Sequence, residues 1–124
     1  MLVLMVDSQE DVRVLAAGVL GVVMKYCNDE TFKNTMQKEI IVDESFATTE
    51  ESHGRCTALG QILKYNNERC KPMHEVIIHK VHQYLKNDSL MIRKSAISVC
   101  KYVLNVYDTM EEKNKVGEWG VHHF

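Results

Sequence analysis

The stretch VRVLAAGVL at residues 12–20 returns twice further along the chain, as GRCTALGQIL at residues 54–63 and as IRKSAI at residues 92–97. In each copy an arginine is followed three residues later by an alanine, and the arginines stand 42 and then 38 residues apart. A self-similar period near forty residues is typical of arrays in which helical hairpins stack on one another. Each repeat in such an array contacts chiefly its neighbours, so we expect an extended binding surface rather than an enclosed catalytic pocket.

Apolar residues at helical spacing along the rest of the chain predict an all-α fold, a HEAT- or armadillo-like α-solenoid fragment of about two and a half helical hairpins. Predicted helices cover residues 9–27, 28–42, a shorter stretch after residue 52 that ends near residue 66, 72–87 and 89–107, with Ser8 and Asn28 capping the first two. Residues 1–6 are interpreted as the end of an earlier helix. Residues 1–107 then form the repeat segment, and residues 108–124 form an irregular C-terminal tail without an apolar stripe.

The composition is typical of a soluble globular protein, since 45% of the residues are hydrophobic, 26% are charged and the net charge is −2. Lysines and arginines are scattered, which excludes the concentrated positive charge of a sequence-specific nucleic-acid binder. The sequence contains neither a membrane-spanning stretch nor a secretory signal, and its four cysteines lack metal or redox spacing. We therefore expect a cytoplasmic protein with reduced thiols, no cofactor, no membrane contact and no direct sequence-specific contact with nucleic acid.

A second regularity links the repeat arginines to the turns before them. Asp7 precedes Arg13 by six residues, and Asn87 precedes Arg93 by the same distance. The same offset before Arg55 reaches a threonine with a glutamate beside it. This spacing resembles the Asp/Arg ladder of HEAT repeats, in which a turn carboxylate of one repeat pairs with an arginine along the stack. We predict that the ladder is structural, and a direct contact of these arginines with a partner is the alternative.

Two stretches also resemble one particular HEAT family. Residues 11–21, DVRVLAAGVLG, and, after an intervening helix and a polar loop, residues 53–60, HGRCTALG, are similar to the C-terminal HEAT region of the general-control translational activator. That family comprises ribosome-associated scaffolds that sense stalled ribosomes and stimulate the initiation factor two alpha kinase. The resemblance covers residues 2–107 and implies translational stress control, with ribosomal and kinase-side proteins as partners. It marks His53, Gly54 and Arg55 as a family-like motif, which we interpret as structural at the start of a helix.

Two groups of residues could indicate chemistry instead. Cys56 lies near His53, but its apolar neighbours favour a buried core thiol over a nucleophile, and we predict no enzyme. His74, His79 and His82 share one helical face and could reach a metal ion. Neighbouring lysines favour a solvated face, and no further ligand is spaced to complete the site.

The polar segment 43–52 is predicted to be a solvated connecting loop. Its alternatives are a contact for basic partners such as ribosomal proteins and a phosphorylation site, since it contains four hydroxyl residues. Taken together, the sequence predicts a non-catalytic protein-interaction scaffold. The alternatives are an importin- or adaptin-like transport or assembly adaptor and a truncated fragment with no independent role. Uncapped repeat ends would expose apolar surface, which predicts self-association.

Overall fold

The computed structural model describes residues 3–114. Its elements are a 3-10 turn, Leu4–Val6; helix α1, Glu10–Met24; helix α2, Asp29–Thr35, which continues into a π-helical turn, Met36–Ile40; helix α3, Thr49–Tyr65; the short helix α4, Asn67–Cys70; a 3-10 turn, Lys71–Met73; helix α5, His74–Leu85; and helix α6, Leu90–Asn114. Every element in this part of the chain is helical, which confirms the predicted all-α fold. No helix within residues 3–114 has the length and apolar character needed to cross a membrane.

The three helices that carry the arginine repeat form one layer. Helix α3 lies in its middle and packs against α1 on one side and α6 on the other. A second set of elements covers this layer: the Leu4–Val6 turn contacts α1 and α3, the π-helical turn contacts α3, and α5 packs on α6. This is the arrangement of about two and a half stacked hairpins that the forty-residue period predicts.

Small residues allow the helices of the layer to approach closely. Ala17, Ala58 and Ala96 are fully buried. Two glycines mark still closer contacts, because a Cβ added at Gly21 would lie 2.7 Å from the Gln61 carbonyl oxygen, and one at Gly60 would lie 2.8 Å from Val99 Cγ2. The branched and long apolar residues around them fill the remaining space, as the close packing of protein interiors requires.

The predicted capping residue is correct for α2 and wrong for α1. Asn28 caps α2 as predicted, since its Oδ1 accepts from the Thr31 amide at 2.8 Å. The prediction that Ser8 caps α1 is wrong. Helix α1 begins at Glu10, and it is the carboxylate of Asp7 that accepts from the Gln9 amide, at 2.8 Å. An aspartate side chain readily accepts from the amide two residues on, and this Asx turn orders the entry to the helix.

Helix α3 begins earlier than predicted, so the connecting loop is shorter than residues 43–52. Thr48 and Glu51 form a capping box, in which the Glu51 amide donates to Thr48 Oγ1 at 3.1 Å and the Thr48 amide donates to Glu51 Oε1 at 2.9 Å. The helix therefore starts at Thr49, and Ser52 is buried within it. The polar composition of this stretch hides a helix start that satisfies its own free amides.

The last described helix also differs from its prediction. We predicted that it ends near Tyr107, but α6 continues through Asn114. Residues 109–113, TMEEK, include the good helix formers methionine, glutamate and lysine, which extend a helix without an apolar stripe to bury. Residues 115–124 lie outside the described part of the chain, so the division into a repeat segment, 1–107, and a tail, 108–124, stays a proposal.

Candidate interaction site at the Arg13 and His53 pair

Arg13 of helix α1 joins three parts of the fold. Its side chain is only 2% exposed. It donates from NH1 to the Asp7 carbonyl oxygen at 2.7 Å, from Nε to His53 Nδ1 at 3.0 Å, and from NH2 to the Met91 sulfur at 3.6 Å. The arginine thereby connects the turn before α1 with α3 and with the first turn of α6.

The predicted pairing of a turn carboxylate with an arginine is wrong for two of the three repeats. Arg13 donates to the main-chain carbonyl of Asp7, and Arg93 donates to the carbonyls of Asn87 and Asp88 at 2.7 and 2.9 Å. The side chains of Asp7 and Asn87 instead each accept from the amide two residues on, at 2.8 Å. One turn design is therefore used twice, with the Asx side chain ordering the turn and the arginine six residues later binding its free carbonyl.

Arg55, in the middle repeat, breaks this pattern. It pairs with Glu44 in the loop before α3, at 3.3 Å between NH1 and Oε1, rather than donating to the turn residue six positions earlier. Glu44 also pairs through Oε2 with Lys80 of α5, at 2.7 Å, and Lys80 donates to the Val42 carbonyl as well. The side chains of Glu44 and Lys80 are only 11% and 7% exposed, so Glu44 is not part of a solvated connector as predicted.

Tyr84 completes the polar cluster that Arg55, Glu44 and Lys80 form. Its hydroxyl is buried, and burial followed by the negative charge of Glu44 raises the pKa of Tyr84 far above its usual value. Sequence reasoning missed Glu44, Lys80 and Tyr84 as a group. One signal was present, since Lys80 interrupts the apolar stripe of α5 between Ile77 and Val81, where a lysine needs a buried partner.

The family-like motif lies inside α3 rather than at its start, which corrects our prediction for residues 53–55. A Cβ added at Gly54 would lie 1.7 Å from the Met5 carbonyl oxygen, so only glycine allows the Leu4–Val6 turn to pack on the helix. Arg55 holds Glu44, as described above. Each of the three residues therefore contacts a different neighbour: α1, the first turn and the loop before α3.

His53 has a fixed role in hydrogen bonding. It is only 4% exposed, and because a guanidinium can only donate, His53 Nδ1 must accept from Arg13 without a proton of its own. Burial, and then the charge of Arg13, lowers the pKa of His53, which keeps the imidazole neutral. The network thus assigns the proton to Nε2, and no side chain or carbonyl among residues 3–106 accepts from it.

A groove of about 550 Å³ runs over His53 between α1 and α6. We call it the His53 groove; it is lined by Glu10, Val14, His53, Thr57, Leu90, Met91, Lys94, Ser95 and Ser98. Its floor contains the buried imidazole and a hydroxyl pair, Thr57 and Ser95, at 3.1 Å. Apolar side chains form much of its walls, and Lys94 and Glu10 add one charge of each sign. Such a mixture suits the binding of a polypeptide segment by hydrogen bonds and apolar contact.

The other chemical candidates do not assemble into sites in the described residues. Cys56 is fully buried, and burial raises the pKa of its thiol to about 12, so the reactive thiolate is scarce at neutral pH. His74 Nδ1 lies 3.2 Å from the Lys71 carbonyl, and His79 lies 3.3 Å from Gln83 on the exposed side of α5. No three His, Cys, Asp or Glu side chains within the described part of the chain are grouped to hold a metal ion.

One end of the helix layer has an apolar surface. The outer side of α1 exposes Leu15 and Val23 at 71% and 53%. A shallow apolar groove of about 590 Å³ runs along it and includes Val19 and Tyr65. We call this surface the α1 face.

The comparison with known proteins agrees with the HEAT-repeat pattern of the sequence. The family model described as stalled ribosome sensor GCN1-like, HEAT repeats, matches residues 1–119 of the chain. The match includes all three copies of the arginine repeat and extends past residue 107 into the region predicted to be a tail. Neither the curated proteins nor the solved structures contain a match.

Proposed function

Because the chain belongs to the GCN1-like stalled ribosome sensor family of HEAT repeats, we propose that it is a non-catalytic scaffold that binds ribosomal or kinase-side proteins during translational stress in the cytoplasm. Activation of the initiation factor two alpha kinase would then be a consequence of what the scaffold holds together. The HEAT-repeat family supports the scaffold role.

The observation that carries the proposal is the His53 groove on the layer formed by α1, α3 and α6. Arg13 fixes the three elements around it, which makes the groove a pre-formed site rather than one that must be organised on binding. The Nε2–H of His53 supplies a donor for a carbonyl oxygen of a bound segment. The Val14 and Leu90 side chains supply apolar contact beside it.

The buried thiols support a role without catalysis. Cys56 and Cys70 are fully buried, and burial raises the pKa of each to about 12. Nucleophilic catalysis by cysteine needs an accessible thiolate beside a base, and in this chain His53 already binds Arg13 with the nitrogen that would act as that base.

Cosedimentation with ribosomes tests the proposal. We expect the chain to be enriched with ribosomes after elongation has been stalled, and Ser98→Trp, which fills the His53 groove from its exposed edge, to reduce this enrichment. Asn34→Trp places the same side chain on the exposed surface of α2, away from the groove, and should have no effect. If the unaltered chain is not enriched, the translational role is wrong and the transport or assembly adaptor becomes the better hypothesis.

A further inference from the structure

Phe46 is a large aromatic side chain with no cover. It is 99% exposed, the highest value among the large hydrophobic residues in the described part of the chain. It stands in the loop that separates the π-helical turn from α3, between Ser45 and Ala47. An exposed phenylalanine adds nothing to the hydrophobic core, and its whole ring is accessible to a partner.

The loop around Phe46 is held firmly. The Ala47 amide donates to the Glu44 carbonyl oxygen at 3.1 Å, which closes a four-residue turn with Phe46 at its third position. We call residues 44–47 the Phe46 turn. Before it, Asp43 Oδ1 accepts from both the amide and the hydroxyl of Ser45, at 3.1 and 2.6 Å. After it, the Thr48 capping box fixes the start of α3.

Glu44 holds the Phe46 turn against two helices through ion pairs. Its two carboxylate oxygens bind Arg55 of α3 and Lys80 of α5, and all three side chains are largely buried. The residue two positions before Phe46 is therefore tied to two helices, while Phe46 itself points into solvent. A side chain displayed on a rigid turn loses little conformational entropy when it binds, which favours its use as an anchor in an interface.

The exposed charged residues that flank Phe46 in the sequence are negative. Asp43 and Glu50 are exposed on either side of the turn, whereas the nearby cations Arg55 and Lys80 are paired with Glu44. An acidic border repels the phosphates of nucleic acid and complements a protein surface rich in lysine and arginine.

We propose that the Phe46 turn is a second contact surface, in which Phe46 inserts into an apolar pocket bordered by lysine or arginine side chains on a ribosomal protein. The proposal rests on the proposed function, because it takes the ribosome as the partner. It selects the basic-partner interpretation of this segment over that of a solvated connector. The contact is separate from the His53 groove, since no residue of the turn lines that groove.

The test measures binding of the complete 124-residue chain to purified stalled ribosomes by sedimentation. Phe46→Ala should weaken binding at least about tenfold, the change expected from losing one buried phenyl ring. Phe46→Leu should restore part of the affinity, and Glu50→Lys should weaken it through charge reversal. Tyr26→Ala, which removes a comparably exposed aromatic side chain from the turn after α1, is the matched control and should bind normally.

A photo-crosslinking phenylalanine analogue at position 46 identifies the contacted molecule, and a crosslink to a ribosomal protein is the expected result. A crosslink to ribosomal RNA, or equal binding of Phe46→Ala and the unaltered chain, overturns the Phe46 proposal and leaves the scaffold role intact. Failure of the unaltered chain to bind ribosomes overturns both proposals together. The binding of the unaltered chain thus separates the two kinds of failure.

Discussion

At the scale of single residues, His53 contributes to stability only while it is neutral. Its Nδ1 accepts from Arg13, and burial followed by the Arg13 charge lowers its pKa below the usual 6.5. In the unfolded chain the imidazole is free to take up a proton near that usual value. The unfolded state therefore binds more protons below about pH 6.5, and we expect the free energy of unfolding to decrease as the pH falls from 7 to about 5.5. Urea denaturation at a series of pH values measures this.

His53→Gln supplies the control for this pH dependence. A glutamine carbonyl can accept from Arg13 Nε but does not titrate, so the slope between pH 7 and about 5.5 should flatten in the variant. Carboxylates do not confuse the measurement, because in the unfolded chain they titrate near pH 4. An equally steep decrease in the variant would show that His53 is not the group responsible.

At the scale of secondary structure elements, one glycine decides whether the first turn packs on α3. Gly54→Ala would place a methyl group 1.7 Å from the Met5 carbonyl oxygen, and a backbone atom cannot move away without displacing the Leu4–Val6 turn. We expect this substitution to lower the free energy of unfolding by about 1–3 kcal/mol, the usual cost of forcing extra volume into a packed contact. Gly18→Ala in α1 is the matched control, since a Cβ there meets nothing within 4 Å.

The control has an expected sign of its own. Alanine stabilises a helix interior relative to glycine by about 0.5–1 kcal/mol, so Gly18→Ala should raise the free energy of unfolding. Chemical denaturation of the two variants beside the unaltered chain gives both differences directly. A stabilising effect of Gly54→Ala would mean that the first turn does not pack on α3 as described.

The helices could be predicted from the sequence because their signals are local. Apolar residues at helical spacing located α1, α5 and α6, and the Asx residue Asn28 marked the start of α2. The start of α3 was missed although its signal, Thr48 followed by Glu51, is also local. The polar composition of residues 43–52 is typical of a solvated loop, yet Ser52 is buried within α3.

The candidate site could not be predicted in the same way, because its contacts join distant residues. Arg13 and His53 are 40 positions apart in the sequence. Glu44 binds Lys80 of α5, and helices α3 and α4 lie between them in the sequence. Spacing identified the arginines but not their acceptors. In the turns before α1 and α6 the Asx side chains bind the local amides first, which leaves the carbonyl oxygens for arginine. Only the packed structure shows which acceptor remains free.

At the scale of the whole molecule, the α1 face predicts self-association. Leu15 and Val23 lie on the outer side of α1 and are exposed at 71% and 53%. Stacked repeats bury such a surface against a neighbouring hairpin, and a second copy of the chain offers similar apolar side chains. We expect sedimentation equilibrium at micromolar concentrations to give an average mass above the 14.3 kDa of one chain.

Leu15→Glu tests whether this face is the one that associates. Burying one leucine side chain contributes about 1.5–3 kcal/mol, so its replacement by a charge should weaken association about tenfold or more and return the average mass toward that of one chain. Asn34→Glu introduces the same charge on the exposed side of α2 and should leave the mass unchanged. A single-chain mass for the unaltered protein at every concentration would contradict self-association through the α1 face.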